Sequence, residues 1–327
     1  MKTFQETLEF FNQALTDLPL NRKPEALYTP VRYELSLGGK RVRPVLLLMA
    51  YQLYRDDMER VLPTALGLEM YHNYTLLHDD VMDKADMRRG KPTVHKVWNE
   101  NTAILSGDAM LVLAYQLMGQ ASATHLKEVL DVFTETALEI GEGQQYDMDF
   151  EHRMDVSEDE YIEMIRLKTS VLLACALKLG ALQADAPATD ANQLYCFGEN
   201  IGLAFQLQDD LLDVYGDPKT FGKNIGGDIL EGKKTFMLIN ALRLANVEQR
   251  AALERWLATE AATPETAQEK IAAVSALYDA IGVRQLAETK IRTYFDVAFK
   301  HLNAVALPPE RKEPLRQLAL ALFDRQA

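Results

Sequence analysis

Two cysteines in 327 residues, Cys175 and Cys196, are too few for a disulfide framework and are not spaced as metal ligands. That scarcity suits a reducing, cytoplasmic compartment. A basic excess is also missing. The 35 Lys and Arg residues against 48 Asp and Glu leave a formal net charge of −13. This balance argues against a nucleic-acid binder, which carries a basic stripe, and against general attraction to anionic membranes. Long apolar runs are absent. The stretches at 45–51 and 171–177 fall far short of the about twenty residues that an integral membrane segment needs. The N-terminal M-K-T-F-Q-E-T-L-E-F-F carries acids and no unbroken apolar region, so it does not read as a signal peptide. Alternating apolar and polar runs joined by Asn-Gly or Asp-Gly turns are missing too, which removes sheet architectures.

What is present is helical. The apolar fraction of 48% is enough for a large core. Phe4, Leu8, Phe11, Leu15 and Leu18 recur at helical spacing. Helices are expected at about 44–54, 60–83, 101–120, 125–150, 157–180 and 190–215, with an amphipathic series over 234–326. Pro44 suits a first helical turn, and Ser157 followed by Glu160 is a capping box. Length alone predicts two domains at about 150 residues each. No Gly/Ser-rich or Pro-rich linker divides the chain, however. The expectation is therefore an all-α fold, one large helical bundle around a central cavity, in a single domain over 1–327.

Two acidic triplets stand out. Asp79, Asp80 and Asp83, and again Asp209, Asp210 and Asp213, share the pattern D-D-x-x-D at the end of apolar helices. Helical spacing puts the three carboxylates of each triplet on one face. Like charges then repel, and a helix C-terminus disfavours them further. A hard cation such as Mg²⁺ resolves both problems. Cations accompany each triplet. Gly38-Gly39-Lys40-Arg41-Val42-Arg43 opens a helix, and Asp86-Met87-Arg88-Arg89-Gly90 follows the first triplet. Gly222-Lys223 and Gly232-Lys233-Lys234-Thr235 follow the second. Backbone N–H groups at a helix start suit an anion, and arginine suits bidentate phosphate contacts. A phosphate-rich ligand bridged by metal to carboxylates and clamped by Lys and Arg fits the set. The step Glu69-x-x-His72 also occurs in di-iron bundles, but those need two such steps and two further glutamates.

Jointly these residues resemble the trans-polyprenyl diphosphate synthase family. The matching stretches are G-G-K-R-V-R-P at 38–44, H-D-D-V-M-D at 78–83 and M-R-R-G at 87–90. Lys168-Thr169, F-Q-L-Q-D-D-L-L-D at 205–213 and G-K-N-I-G-G-D-I-L-E-G-K-K-T at 222–235 complete the series, in the family's order. The resemblance implies triplets facing one another across a cavity, a homodimer, and condensation of isopentenyl diphosphate with an allylic diphosphate. It implies Mg²⁺ held by Asp79, Asp80, Asp83, Asp209 and Asp213, with Asp210 counted in the second triplet. Arg88, Lys168, Lys223 and Lys233 would clamp the allylic diphosphate. Gly39, Lys40, Arg43, His72 and Arg89 would hold isopentenyl diphosphate. Thr169 and Gln206 would face the developing allylic cation, with Gln144 and Asp147 lining the cavity.

Tyr74 and Tyr71 precede Asp79 by about 7.5 and 12 Å of helical rise. In such a family they would form a floor, giving a farnesyl or geranylgeranyl product with a lean towards the longer. Two rival readings remain at this stage. A class I terpene cyclase would not need the second anion site of Gly39, Lys40, Arg43 and Arg89. A non-catalytic subunit of a heteromeric synthase would be expected to lose an acidic triplet.

Overall fold

Side chains that accept a backbone N–H stand at several helix starts, where the first N–H groups otherwise lack partners. Thr3, Ser157 and Asn246 each close a capping box, with Glu6, Glu160 and Gln249 respectively. The Ser157 box is the one expected from sequence. The computed structural model describes residues 2–216 and 225–323. In chain order they form α1 (Phe4–Thr16), α2 (Glu25–Ser36), α3 (Val42–Gln52) and α4 (Leu62–Met82). Then come β1 (Met87–Arg88), β2 (Lys91–Pro92), α5 (Val94–Val97), α6 (Glu100–Met118), α7 (Leu126–Glu151) and α8 (Glu158–Ile165). A π-helical turn, Arg166–Ser170, leads into α9 (Val171–Gln183) and α10 (Ala188–Tyr215). The remainder is α11 (Gly227–Glu231), α12 (Phe236–Leu244), α13 (Val247–Leu257), α14 (Pro264–Ile281), α15 (Val283–Ala304) and α16 (Pro309–Phe323). Among the described residues no helix is long and apolar enough to cross a membrane.

The all-α expectation holds, with two local departures. β1 and β2 pair antiparallel, Met87 opposite Pro92 and Arg88 opposite Lys91. The turn between them is Arg89-Gly90, with φ of 52° and 76°. Positive φ at both central positions is the turn geometry that matches strand twist. Arg-Gly here takes the place of the Asn-Gly or Asp-Gly pair usual in such turns. The second departure is the π turn, which interrupts the helix expected over 157–180.

Two compact units form. Unit 1 comprises the described residues of Met1–Thr134, Cys175–Tyr195 and Val305–Leu315, and unit 2 comprises those of Glu135–Ala174, Cys196–Ala304 and Arg316–Ala327. In unit 1, α4 packs along α6 and α3 packs on α4. Every residue of α3 from Pro44 to Gln52 is buried. Side chains such as Leu47, Leu48, Leu68 and Met70 have no exposed surface, and each burial of that size stabilises by about 1.5–3 kcal/mol. Glycine sets the closest approach: a Cβ on Gly180 would collide with the Leu47 carbonyl oxygen and lie 3.0 Å from the Ala50 Cβ. In unit 2, α12 is buried from Phe236 to Ala241 and packs against α14, α15 and α8. Phe295 and Phe323 stack edge to face there at 4.3 Å.

Gly180→Ala should lower stability by about 1–3 kcal/mol through overpacking. Gly141→Ala, where a Cβ meets nothing within 4 Å, should be neutral or stabilising by its better helix propensity. Urea unfolding of both variants checks the pair.

Candidate active site

Unit 1 builds its part of the site around α4. The loop before α3 is forced into left-handed conformations, with φ of 87° at Gly38, 133° at Gly39 and 49° at Arg41. Glycine suits position 39 because that φ strains an L side chain, and a Cβ there would also press on the Arg89 guanidinium at 2.8 Å. Arg89 Nη1 in turn donates to the Gly38 carbonyl. The β1–β2 turn thereby ties the two cationic motifs together. It also sets Arg88 on Asp80: Nε donates to Oδ2 at 2.8 Å and Nη2 to Oδ1 at 2.7 Å. Asp79 Oδ2 lies 4.0 Å from Arg88 Nη2.

Beneath this lies a buried network. Arg41 Nη1 donates to Glu69 Oε1, and its Nη2 donates to the Leu35 carbonyl at 2.7 Å. Asn73 Nδ2 donates to the same Glu69 oxygen at 2.9 Å. Arg43 Nη1 lies 3.2 Å from His72 Nε2. Burial, then Arg43 and the other three arginines, holds the His72 pKa well below its usual value. The ring is therefore neutral at pH 7, and Nε2 accepts from Arg43. Burial and Arg89 also push the Arg43 pKa down to about 10, against a pull upward from Glu69, so it stays charged. Glu34, on α2, is fully buried and both its carboxylate oxygens lack a hydrogen-bond partner. Burial, then Asp80, pushes its carboxyl up to about 7, although Arg88, Arg89 and Arg41 pull the other way.

Unit 2 positions its groups through the π turn. A Cβ on Gly143 of α7 would strike the Lys168 backbone nitrogen, and a Cβ on Gly202 of α10 would lie 2.6 Å from Ser170 Cα. The turn is thus gripped by two bare glycines, and π turns of this kind recur at functional sites. Lys168 Nζ meets Asp147 Oδ2 at 2.6 Å. Thr169 Oγ1 donates to Gln206 Oε1 at 3.5 Å, and Gln206 Nε2 donates to Asp210 Oδ1 at 3.4 Å. Tyr161 OH and the Phe236 N–H both donate to Asp210 Oδ2, the latter at 3.3 Å. Around Lys233, crowding by protein works against the charge, but Asp147, Asp228, Glu231 and Asp210 outweigh it and raise its pKa.

Burial differs within each triplet. Asp80 is 2% exposed and turned onto Arg88, whereas Asp79 is half-buried and Asp83 exposed. Asp210 is likewise buried inside the Tyr161–Phe236 contact, whereas Asp209 is half-buried. Asp213 is buried, with Oδ2 accepting from the Asp228 N–H at 3.1 Å. Among the described residues, no three His, Cys, Asp or Glu side chains already form a metal cage. Lys40 is exposed, and Lys223 lies outside the described residues. Tyr71 and Tyr74 do come together, with ring centroids 5.5 Å apart, and Tyr71 also packs on Phe133 at 5.2 Å. Sequence reasoning missed Glu34, which sits in no motif, and Tyr161, whose partner is distant in the chain. Glu69 was visible in its E-x-x-H step, but its partner is an arginine.

Asp210 gives a pH signature. Burial is the main cause of its rise to about 7, with Asp228 adding to it against the hydrogen bonds from Tyr161, Phe236 and Gln206. A carboxyl that titrates near 4 when unfolded and higher when folded holds its proton preferentially in the folded state. Its contribution is fully present below about pH 4, is lost as pH rises towards 7, and is flat above. Asp210→Asn should therefore gain urea midpoint relative to wild type between pH 5 and pH 8. A constant difference across that range would refute the assignment.

Comparison with known proteins bears on this geometry. The polyprenyl synthetase family profile matches residues 24–274. A short chain isoprenyl diphosphate synthase of Methanocaldococcus jannaschii is 42% identical over 250 residues, 76% of each chain. A solved geranylgeranyl pyrophosphate synthase superposes with a TM-score of 0.95 at 42% identity, covering 100% of both chains. A second, from Corynebacterium glutamicum and solved with isoprenyl diphosphate and magnesium, gives a TM-score of 0.83 at 30% identity, covering 99% of this chain and 98% of the other. The arginine-bearing loop, the D-D-x-x-D helices and the Lys168 turn are therefore those of a member of the polyprenyl synthetase family, with the all-α isoprenoid synthase fold.

Proposed function

We propose that this chain is a short-chain trans-prenyltransferase that condenses isopentenyl diphosphate with dimethylallyl, geranyl or farnesyl diphosphate. The observation that carries this reading is the pairing, within unit 1, of a cation site with a carboxylate pair. The cation site is Gly38–Arg43, His72 and Arg89, tied together by the Arg89–Gly38 bond. The carboxylate pair, Asp79 and Asp83, stands one helical turn apart at the end of α4. A terpene cyclase has no use for the first. A non-catalytic subunit has no use for the intact second.

The donor chemistry fits magnesium: hard carboxylate oxygens, half-buried or exposed, at a helix end where the dipole adds negative potential. Asp79 and Asp83 in unit 1, with Asp209 in unit 2, are the residues to hold it. Asp213 would join them. Asp80 and Asp210 act one step behind, through Arg88 and Gln206. When bound, Mg²⁺ supplies Lewis-acid neutralisation of a departing diphosphate. The chain's own groups do the rest. Arg88, Lys168, Lys233 and Lys223 hold the allylic diphosphate and stabilise charge that grows as its C–O bond breaks. Thr169 and Gln206 present oxygen dipoles to the allylic carbon. Lys40, Arg43 and Arg89, with Gly39 allowing the approach, keep isopentenyl diphosphate in line. Its double bond attacks the carbon that the diphosphate leaves, and the freed diphosphate takes the proton. His72, neutral, orients Arg43.

Tyr71 and Tyr74 set the floor of chain growth, and twenty carbons is the favoured product. The two units work as one catalytic domain, cytoplasmic and homodimeric. Dimerisation is supported by an apolar stripe on α6, where Leu105 is 60% and Val112 is 68% exposed. Surfaces of that kind mark association sites.

The test is chromatography of products from purified protein, Mg²⁺, labelled isopentenyl diphosphate and each allylic starter. Unconsumed isopentenyl diphosphate with a cyclised product would replace this reading with a cyclase. Asp79→Ala and Arg88→Ala should each cut turnover by about a thousandfold, in line with the loss of a group that stabilises transition-state charge. The Tyr71→Ala, Tyr74→Ala double variant should lengthen the product, and an unchanged product would remove the floor.

A further inference from the structure

The buried carboxylates of unit 1 divide into two kinds. Glu69 accepts from Arg41 and Asn73, Asp80 accepts from Arg88, and Asp190 accepts from Tyr54 and the Ala306 N–H. Glu34 has no exposed surface, and neither of its oxygens has a hydrogen-bond partner. A buried carboxylate without partners is among the costlier features a fold can carry. Glu34 occurs where cations are densest. The next residue, Leu35, offers its carbonyl to Arg41. The charges that act on Glu34 are those of Arg88, Arg89 and Arg41, which favour its ionised form, and Asp80, which opposes it. Arg41 is committed to Glu69 and Arg88 to Asp80. Arg89 reaches a carbonyl rather than a carboxylate.

We propose that Glu34 is an affinity-setting residue for the second diphosphate: its buried negative charge subtracts from the arginine cluster and weakens the grip on isopentenyl diphosphate. The inference rests on the reading of this cluster as the isopentenyl diphosphate site. Glu34 is walled off from solvent, so it acts through the arginines and not by touching ligand. The physical logic is that of uniform binding. An anion site made only of paired and spare arginines holds ground state and transition state alike, which lowers KM without raising kcat. A counter-charge, where the carboxyl is ionised, keeps the site exchangeable. The sign of this effect separates it from a scaffold role. Loss of a scaffold residue raises KM, whereas loss of an opposing charge lowers it.

The experiment compares wild type with Glu34→Gln and Glu34→Met, which remove the charge, and Glu34→Asp, which keeps it. Assays run at pH 8, above the carboxyl's value of about 7. With the allylic substrate saturating, both charge-removing variants should lower KM for isopentenyl diphosphate by about three- to tenfold, the size expected of one nearby charge in a partly buried site. KM for the allylic substrate should stay within about twofold, and Glu34→Asp should stay near wild type. Calorimetric titration with inorganic diphosphate in EDTA should show the same tightening without turnover. An unchanged or raised KM and Kd in folded variants would overturn the proposal, as would failure of both charge-removing variants to fold. Should wild type leave isopentenyl diphosphate unused, the reading of the site fails instead, and the diphosphate titration still decides the charge claim.

Discussion

Mutual repulsion among guanidinium groups is the constraint on which unit 1 turns. Arg41, Arg43, Arg88 and Arg89 converge from two loops and a helix start; beyond burial, Arg89 works against the charge on Arg43, and Arg41 and Arg88 against that on Arg89. The fold holds them by giving two of them private carboxylates. Glu69 neutralises Arg41 under the loop, and Asp80 grips Arg88 with both oxygens. Breaking a buried pair of this type leaves an uncompensated charge, at a cost of about 3–5 kcal/mol. The Gly38–Arg41 loop, the Arg89-Gly90 turn and the half-buried Arg43–His72 contact adjoin those two pairs.

Unit 2 solves a different problem, that of aiming short side chains from a helix. The π turn at Arg166–Ser170 widens the helix by one residue and so changes the direction in which Lys168 and Thr169 project. Gly143 and Gly202 allow α7 and α10 to close on it from their own sides. Thr169, Gln206 and Asp210 then form one polar chain that ends on Tyr161 and on the start of α12. Because Phe236 begins α12, the backbone that carries Lys233 and Thr235 is tied to the same carboxylate. Such chains are worth more intact than as separate pairs.

Periodicity and capping chemistry made the helices legible, because a 3.6-residue apolar repeat and a Ser157–Glu160 box are local signals. The acidic triplets and the arginine motifs were legible for the same reason. What escaped depended on partners far apart in sequence. Helical spacing grouped Asp79, Asp80 and Asp83, but could not show that Arg88 takes both oxygens of Asp80. The same local reasoning missed Tyr161 on Asp210, forty-nine residues apart. The Arg89-Gly90 turn escaped because arginine rarely takes positive φ. The π turn escaped because one extra residue per turn leaves no mark on composition. Glu34 was invisible for the plainest reason: a glutamate in an amphipathic helix looks like a solvated one.

One rod, α4, carries Glu69 against Arg41, His72 against Arg43, and Asp79 and Asp80 against Arg88. Each residue added to an α-helix turns everything beyond it by about 100°. A single-codon insertion between Asn73 and His78 would therefore spin Asp79 and Asp80 away from Arg88 while Glu69 kept its grip on Arg41.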